Sequence, residues 1–140
     1  AFYLSLVFLF IEIATTGSFD LMIIPAIFAF GISLIREIIK DIEDFKGDNE
    51  TGIKTLPVCV GVENAIYINC IFMTVFIIQC IFMTFKFQIY STIAIILLVF
   101  LPLFYLIFSL IKSPSIPTCI KGSSLLKKIT ITGLLIIYII

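Results

Sequence analysis

Histidine is absent from the 140-residue chain, and its four cysteines, Cys59, Cys70, Cys80 and Cys119, include no CxxC pair. Zinc centres are built from clustered cysteine and histidine, so this composition argues against one. Charge is also scarce, at 13% of residues against roughly 25% in a soluble globule. Hydrophobic residues make up 61%, and the mean hydropathy is +1.27. Such a chain cannot cover its own surface with polar groups, and a bilayer is its natural solvent. Nine basic and nine acidic residues cancel, which removes the positive footprint a nucleic-acid binder needs. Disulfides require an oxidising compartment and matched geometry. Cys70 and Cys80 lie in apolar runs, where cysteine acts as a small hydrophobe, and all four are read as free thiols.

What remains is organised by long uncharged runs. A helix crossing a bilayer takes about 20 mostly apolar residues. Residues 64–85 and 87–111 meet this directly, while runs 1–11 and 129–140 are cut by the ends of the sequence. A fifth run begins near Phe19 but is uncharged only over residues 21–35. That run covers about 22 Å of a hydrocarbon core about 30 Å thick. To cross, its helix must continue through Arg36 and Glu37 toward Lys40. Charges at that depth are costly unless they face one another or a wet cavity, which makes this helix end a functional site. The expected fold class is all-α, a multi-span transmembrane helical bundle of about five spans. The sequence opens at Ala1 inside one apolar run and closes at Ile140 inside another. The first run lacks the basic leader and small-residue cleavage site of a signal peptide, and residues 1–140 are expected to be a fragment of a longer domain.

Basic residues set the orientation. The connection 15–20 has none, the second holds Arg36, Lys40, Lys46 and Lys54, the third only Lys86, and the fourth Lys112, Lys121, Lys127 and Lys128. In a five-span layout eight of the nine basic residues fall on one side, which is expected to be cytoplasmic. Pro114, Pro117 and Gly122 mark the fourth connection as a turn-rich loop.

Ten of the eighteen charges lie between Arg36 and Lys54, in the stretch R-E-I-I-K-D-I-E-D-F-K-G-D-N-E-T-G-I-K-T-L-P. If the helix runs to about Phe45, Glu37, Asp41 and Asp44 recur at i, i+4 and i+7 and share a face. Asp48 continues the series, with Gly47 a candidate terminator. Glu43 points elsewhere. Carboxylates converging on one face repel one another unless a cation lies between them. Oxygen donors without histidine or thiolate suit a hard ion, Mg²⁺ or Ca²⁺. Arg36, Lys40, Lys46 and Lys54 are close enough in sequence to contact phosphate. A charged helix end at a membrane surface is ordinary, and Glu37 and Asp41 could simply be solvated. The short apolar run before Arg36 and the three spaced aspartates weigh against that plain reading.

These residues carry a resemblance. The stretch is similar to the second aspartate-rich motif of the UbiA superfamily of intramembrane prenyltransferases. It is nearest to the branch with a K-D-x-x-D-x-x-G-D core followed by G-x-K-T-L-P, which includes digeranylgeranylglyceryl phosphate synthases and homogentisate prenyltransferases. The resemblance implies that residues 1–140 are the carboxyl-terminal part of a single nine-helix, membrane-embedded prenyltransferase domain. It implies Mg²⁺-dependent transfer of a prenyl group from an isoprenoid diphosphate to a lipid or aromatic acceptor, with a glycerol-phosphate lipid slightly favoured. Asp41, Asp44 and Asp48 would help bind the Mg²⁺–diphosphate, while Arg36, Lys40 and Lys54 would contact phosphate or order the loop. The family's first motif, N-D-x-x-D, does not occur here, so this fragment alone is expected to be inactive. The D-G-x-x-A-R pattern of CDP-alcohol phosphotransferases is absent too. The alternative is a membrane cation-binding or transport protein using the aspartate face as an ion site. It would need polar residues spread through several spans, and there are few.

Overall fold

The computed structural model describes residues 2–16, 23–84, 93 and 95–139, and all regular structure among them is helical. In chain order these are α1 (Phe2–Thr16), α2 (Ile23–Glu43), the short α3 (Phe45–Thr51) and α4 (Leu56–Val60), and α5 (Val62–Thr84). A π-helical turn (Ile96–Phe100) then runs into α6 (Leu101–Lys112), and α7 (Ile116–Ile139) closes the order. The expected all-α class is what the chain forms. By length and composition, Val62–Phe82 is long and apolar enough to cross a membrane, and Ile96–Lys112 is a shorter apolar helix. Residues 17–20 of the first connection and Lys86 lie outside the described residues.

Helix α2 is the hub, packing against α1, α5 and α7. Its sequence explains why. Phe28, Ile32, Ile35, Ile39 and Ile42 are spaced by four or three residues, so they form one stripe, and all are buried. Helix α5 answers with a stripe of Ala65, Ile66, Asn69, Cys70, Met73, Phe76 and Ile77. Apolar side chains gain little from leaving lipid, so helices associate there through close packing and small residues. A Cβ at Gly31 would collide with the Phe76 ring, and one at Gly133 with the Phe28 ring. These two glycines admit the Phe28–Phe76 pair, whose centroids are 5.5 Å apart with planes tilted by 52°. At Gly122 a Cβ would stand 2.7 Å from Leu106 and 3.7 Å from Ile39. Since Gly133 meets Phe28 while Gly122 meets Ile39, α7 runs antiparallel to α2.

The stretch expected to be a turn-rich loop is mostly helix. Only residues 113–115 separate α6 from α7. Pro117 falls in the first turn of α7, where a missing N–H costs nothing and the fixed φ favours initiation. The Ser115 and Thr118 hydroxyls pair at 2.9 Å, and the Cys119 N–H donates to the Ser115 carbonyl at 3.2 Å. Gly122, read as a turn residue, is instead a packing residue inside the helix. The four cysteines are free, with Cys70 and Cys119 buried, Cys80 half-buried and Cys59 exposed.

Candidate functional site

Helix α2 ends at Glu43, and Asp44 (φ −87°, ψ 1°) sits at a bend leading into α3. Hydrogen bonding carries through the bend. The Asp44 N–H donates to the Lys40 carbonyl at 2.9 Å, and the Asp48 N–H to the Asp44 carbonyl at 3.0 Å. Gly47 does not terminate the helix as expected, because it lies inside α3. The terminator is Gly52, whose φ of 74° is left-handed and whose N–H returns to the Asp48 carbonyl, a conformation that costs glycine least. The Ile53 N–H shares that acceptor at 2.9 Å. Thr55 is extended (φ −87°, ψ 165°) and starts α4, with Pro57 in its first turn. Gly61, at φ 89°, then hands the chain to α5. Much of G-x-K-T-L-P is therefore backbone engineering: a helix stop, an extended residue and a helix start.

This local fold arranges the sequence-selected residues along one end of the bundle. Arg36, Glu37, Lys40 and Asp44 are exposed, Asp41 and Asp48 are half-buried, and Lys54 is exposed in the link between α3 and α4. Asp41 sits in the last turn of α2, two residues before its end at Glu43. Its carboxyl is raised above the usual 3.8, first by burial and then by Asp48, Glu37 and Asp44, with Lys40 acting in the opposite sense. Four carboxylates thus share one electrostatic neighbourhood. Among the described residues, no three Asp, Glu, Cys or His side chains close into a ready-made metal cage. These four carboxylates are the aspartate arc; Lys40 is the basic side chain that acts on Asp41, and Arg36 and Lys54 are exposed on the same segment. Hard cations fit such a donor set, and Mg²⁺ in particular takes only one or two carboxylates, filling its other positions with water and phosphate oxygens.

Glu43 was expected to point away from the action. It does leave the carboxylate face, but it turns into the bundle. It follows Ile39 by four residues and so continues the buried stripe of α2. Its Oε1 is buried and has no hydrogen-bond partner. At the start of α7, Cys119 is 0% exposed. One residue from Cys70, Asn69 is also 0% exposed, and neither its Oδ1 nor its Nδ2 has a partner. The four-residue spacing from Ile39 was the sequence signal for Glu43. Asn69 had a comparable signal in its spacing from Ala65 and Met73.

The profile of the UbiA prenyltransferase family matches residues 1–121. The chain belongs to that family, whose members are membrane-embedded prenyltransferases. It is 34% identical over 117 residues to the digeranylgeranylglyceryl phosphate synthase of Saccharolobus solfataricus, an alignment covering 81% of this chain and 40% of the relative. It is 51% identical over 47 residues to the enzyme of that name from Pyrococcus abyssi, covering 34% of this chain and 17% of the relative. With the one from Thermococcus kodakarensis the identity is 47% over 47 residues, with the same coverage. In each case the chain spans less than half the length of the relative. No solved structure gives a significant match.

Proposed function

We propose that the chain is the carboxyl-terminal part of a multi-span membrane prenyltransferase that uses Mg²⁺ to move a prenyl group from an isoprenoid diphosphate to a lipid acceptor. In this reading all the long helices cross the bilayer, and the aspartate arc lies on the cytoplasmic side. The observation that carries the chemistry is a half-buried Asp41 whose proton affinity is raised by burial and then by the carboxylates of Asp48, Glu37 and Asp44. Such repulsion is relieved by a bound cation. The names of the relatives favour a glycerol-phosphate lipid over an aromatic acid as acceptor.

Asp41, Asp44 and Asp48 would hold the metal, and Arg36, Lys40 and Lys54 would receive the diphosphate oxygens. Bound Mg²⁺ supplies Lewis-acid stabilisation of the charge that develops on a departing diphosphate. The chain's own residues do the rest. These basic residues neutralise and orient the diphosphate, fixing the allylic carbon at the boundary between the arc and the apolar helices. The isoleucine- and phenylalanine-rich helices keep water from that carbon. Carboxylates from outside this chain would complete the metal's protein ligands, which is why residues 1–140 alone should not turn over.

The test is transfer by the complete protein in proteoliposomes. Labelled geranylgeranyl diphosphate would be supplied with either geranylgeranylglyceryl phosphate or homogentisate. Mg²⁺-dependent product with the glycerol-phosphate lipid is expected. Transfer unaffected by chelation, or cation flux across the vesicles without diphosphate consumption, would overturn the proposal.

A further inference from the structure

Lys121, Lys127 and Lys128, expected in a loop, lie inside α7. A place in a helix gives them a height and a direction. Gly133 meets Phe28 and Gly122 lies near Ile39. The two positions are eleven residues apart on both helices, so one antiparallel register holds between them. Lys127 and Lys128 therefore stand about level with Leu34 and Ser33, just short of Arg36. Away from the arc, residues 129–139 of α7 and 23–32 of α2 contain no charge. Two neighbouring helices thus pass from apolar to charged at one height.

Helix α6 does not change there. Residues 113–115 alone join it to α7, and Gly122 meets Leu106, so Leu101, Phe104 and Tyr105 fall between the heights of Lys128 and Lys121. All three are exposed. An apolar and aromatic face belongs against lipid, with its rings at the interface. From Lys121 to Lys128 the helix rises about 10 Å, comparable with one headgroup layer of about 5–8 Å plus the reach of a lysine stem. Direction agrees with height. Lys121, Ser124, Lys127 and Lys128 lie about 100° or more around α7 from Gly122, and all four are exposed. Lys121, Ser124 and Lys128 form one stripe, with Lys127 beside it, turned away from the carboxylates of α2. Residues 64–140 hold five lysines and no aspartate or glutamate, so α6 and α7 supply no counter-charge of their own. An ammonium group beside lipid is costly unless it reaches water or an anion.

We propose that Lys121, Lys127 and Lys128, with the Ser124 hydroxyl, bind the phosphate of an anionic phospholipid headgroup in the leaflet next to the arc. The lysines supply positive charge and the hydroxyl a directional donor. The proposal rests on the reading that the long helices cross the bilayer.

The experiment places the complete protein in phosphatidylcholine nanodiscs with a trace of spin-labelled phosphatidylglycerol or phosphatidylcholine, and reads the fraction of label immobilised by the protein. Wild type is expected to prefer phosphatidylglycerol by about fivefold or more, the scale of a lysine at a membrane surface. Lys121→Gln, Lys127→Gln and Lys128→Gln combined should reduce the preference to about twofold or less. Arginine at the same three positions should keep it. Lys128→Gln alone should lower it part of the way, with the melting temperature unchanged. Excess inorganic phosphate should displace nothing. No preference in wild type, or an equal preference in the triple glutamine variant, overturns the proposal. So does an equal loss in Lys112→Gln, which would mark general surface charge. Displacement by free phosphate would mark a soluble-ion site, and displacement by geranylgeranylglyceryl phosphate at far lower concentration a substrate site; either overturns the headgroup assignment. A protein stripped from liposomes by alkaline carbonate would sink the spanning reading first, whereas one that stays embedded without preference sinks this proposal alone.

Discussion

The two ends of α2 obey different rules. From Pro25 to Ile35 the helix is governed by volume: Phe28 meets Phe76, Gly31 and Gly133 leave room for the rings, and each buried position fits a neighbour. From Arg36 to Asp44 it is governed by charge, with exposed acids and bases on one side and only the isoleucine stripe continuing inward. Packing at the first end tolerates little change in shape but has no chemistry. The second end keeps like charges together at an energetic cost, and in doing so acquires affinity for a cation. Glu43 is where the two regimes meet, a charged residue in a packing position.

The sharpest way to break this contrast is Asp44→Asn. Prenyl transfer by the complete protein should fall by about a hundredfold or more, on the scale seen when a transition-state electrostatic group is removed. Membrane insertion and thermal stability should be nearly unchanged, as read by transfer assay and melting in detergent. Phe76→Ala should do the reverse. A large-to-small change at a close-packed aromatic costs about 3 kcal/mol or more, visible as a lower melting temperature, while KM for the diphosphate in surviving protein stays within a few-fold.

A subtler pair comes from Asp41. Its proton affinity is raised in the fold, so the stability associated with its protonated form is complete below the ordinary 3.8 and is lost as pH rises through the elevated value. At neutral pH the ionised group therefore works against the metal-free fold. Asp41→Asn should raise the melting temperature of the metal-free protein slightly at pH 7 while weakening Mg²⁺ activation. Wild-type Mg²⁺ affinity should in turn begin to fall, on acidification, at a higher pH than an ordinary aspartate would give. The smallest effect is expected from a basic residue. Lys40→Gln should raise KM for the diphosphate by about tenfold or less, and the loss should shrink in high salt, because the contact is exposed and screened.

The helical class was legible in the sequence, and the closeness of Glu37, Asp41 and Asp44 followed from their spacing along a single helix. The segment from Pro114 to Gly122 was misread, since proline and glycine break a helix in its interior but start or tighten one at its first turn and packing seam. The terminator was sought at Gly47 although Gly52 supplies it. Both are glycines, and only the return of N–H groups to the Asp48 carbonyl distinguishes them. Glu43 and Asn69 were hidden for a different reason. Their periodicity puts them in the core and their chemistry argues for the surface, and such a conflict is resolved only by the neighbours that enclose them.

The bend at Asp44 has a consequence for how this segment can change over time. Because α3 is nearly a continuation of α2 in its hydrogen bonding, each residue inserted or removed between Asp44 and Asp48 would turn Asp48 by about 100° around the axis. It would leave Asp41 and Asp44 where they are. Substitutions at Phe45, Lys46 and Gly47 can accumulate while the arc survives, but a change in their number cannot. The motif is thus a ruler as much as a set of ligands, and its three-residue interval is the part least free to drift.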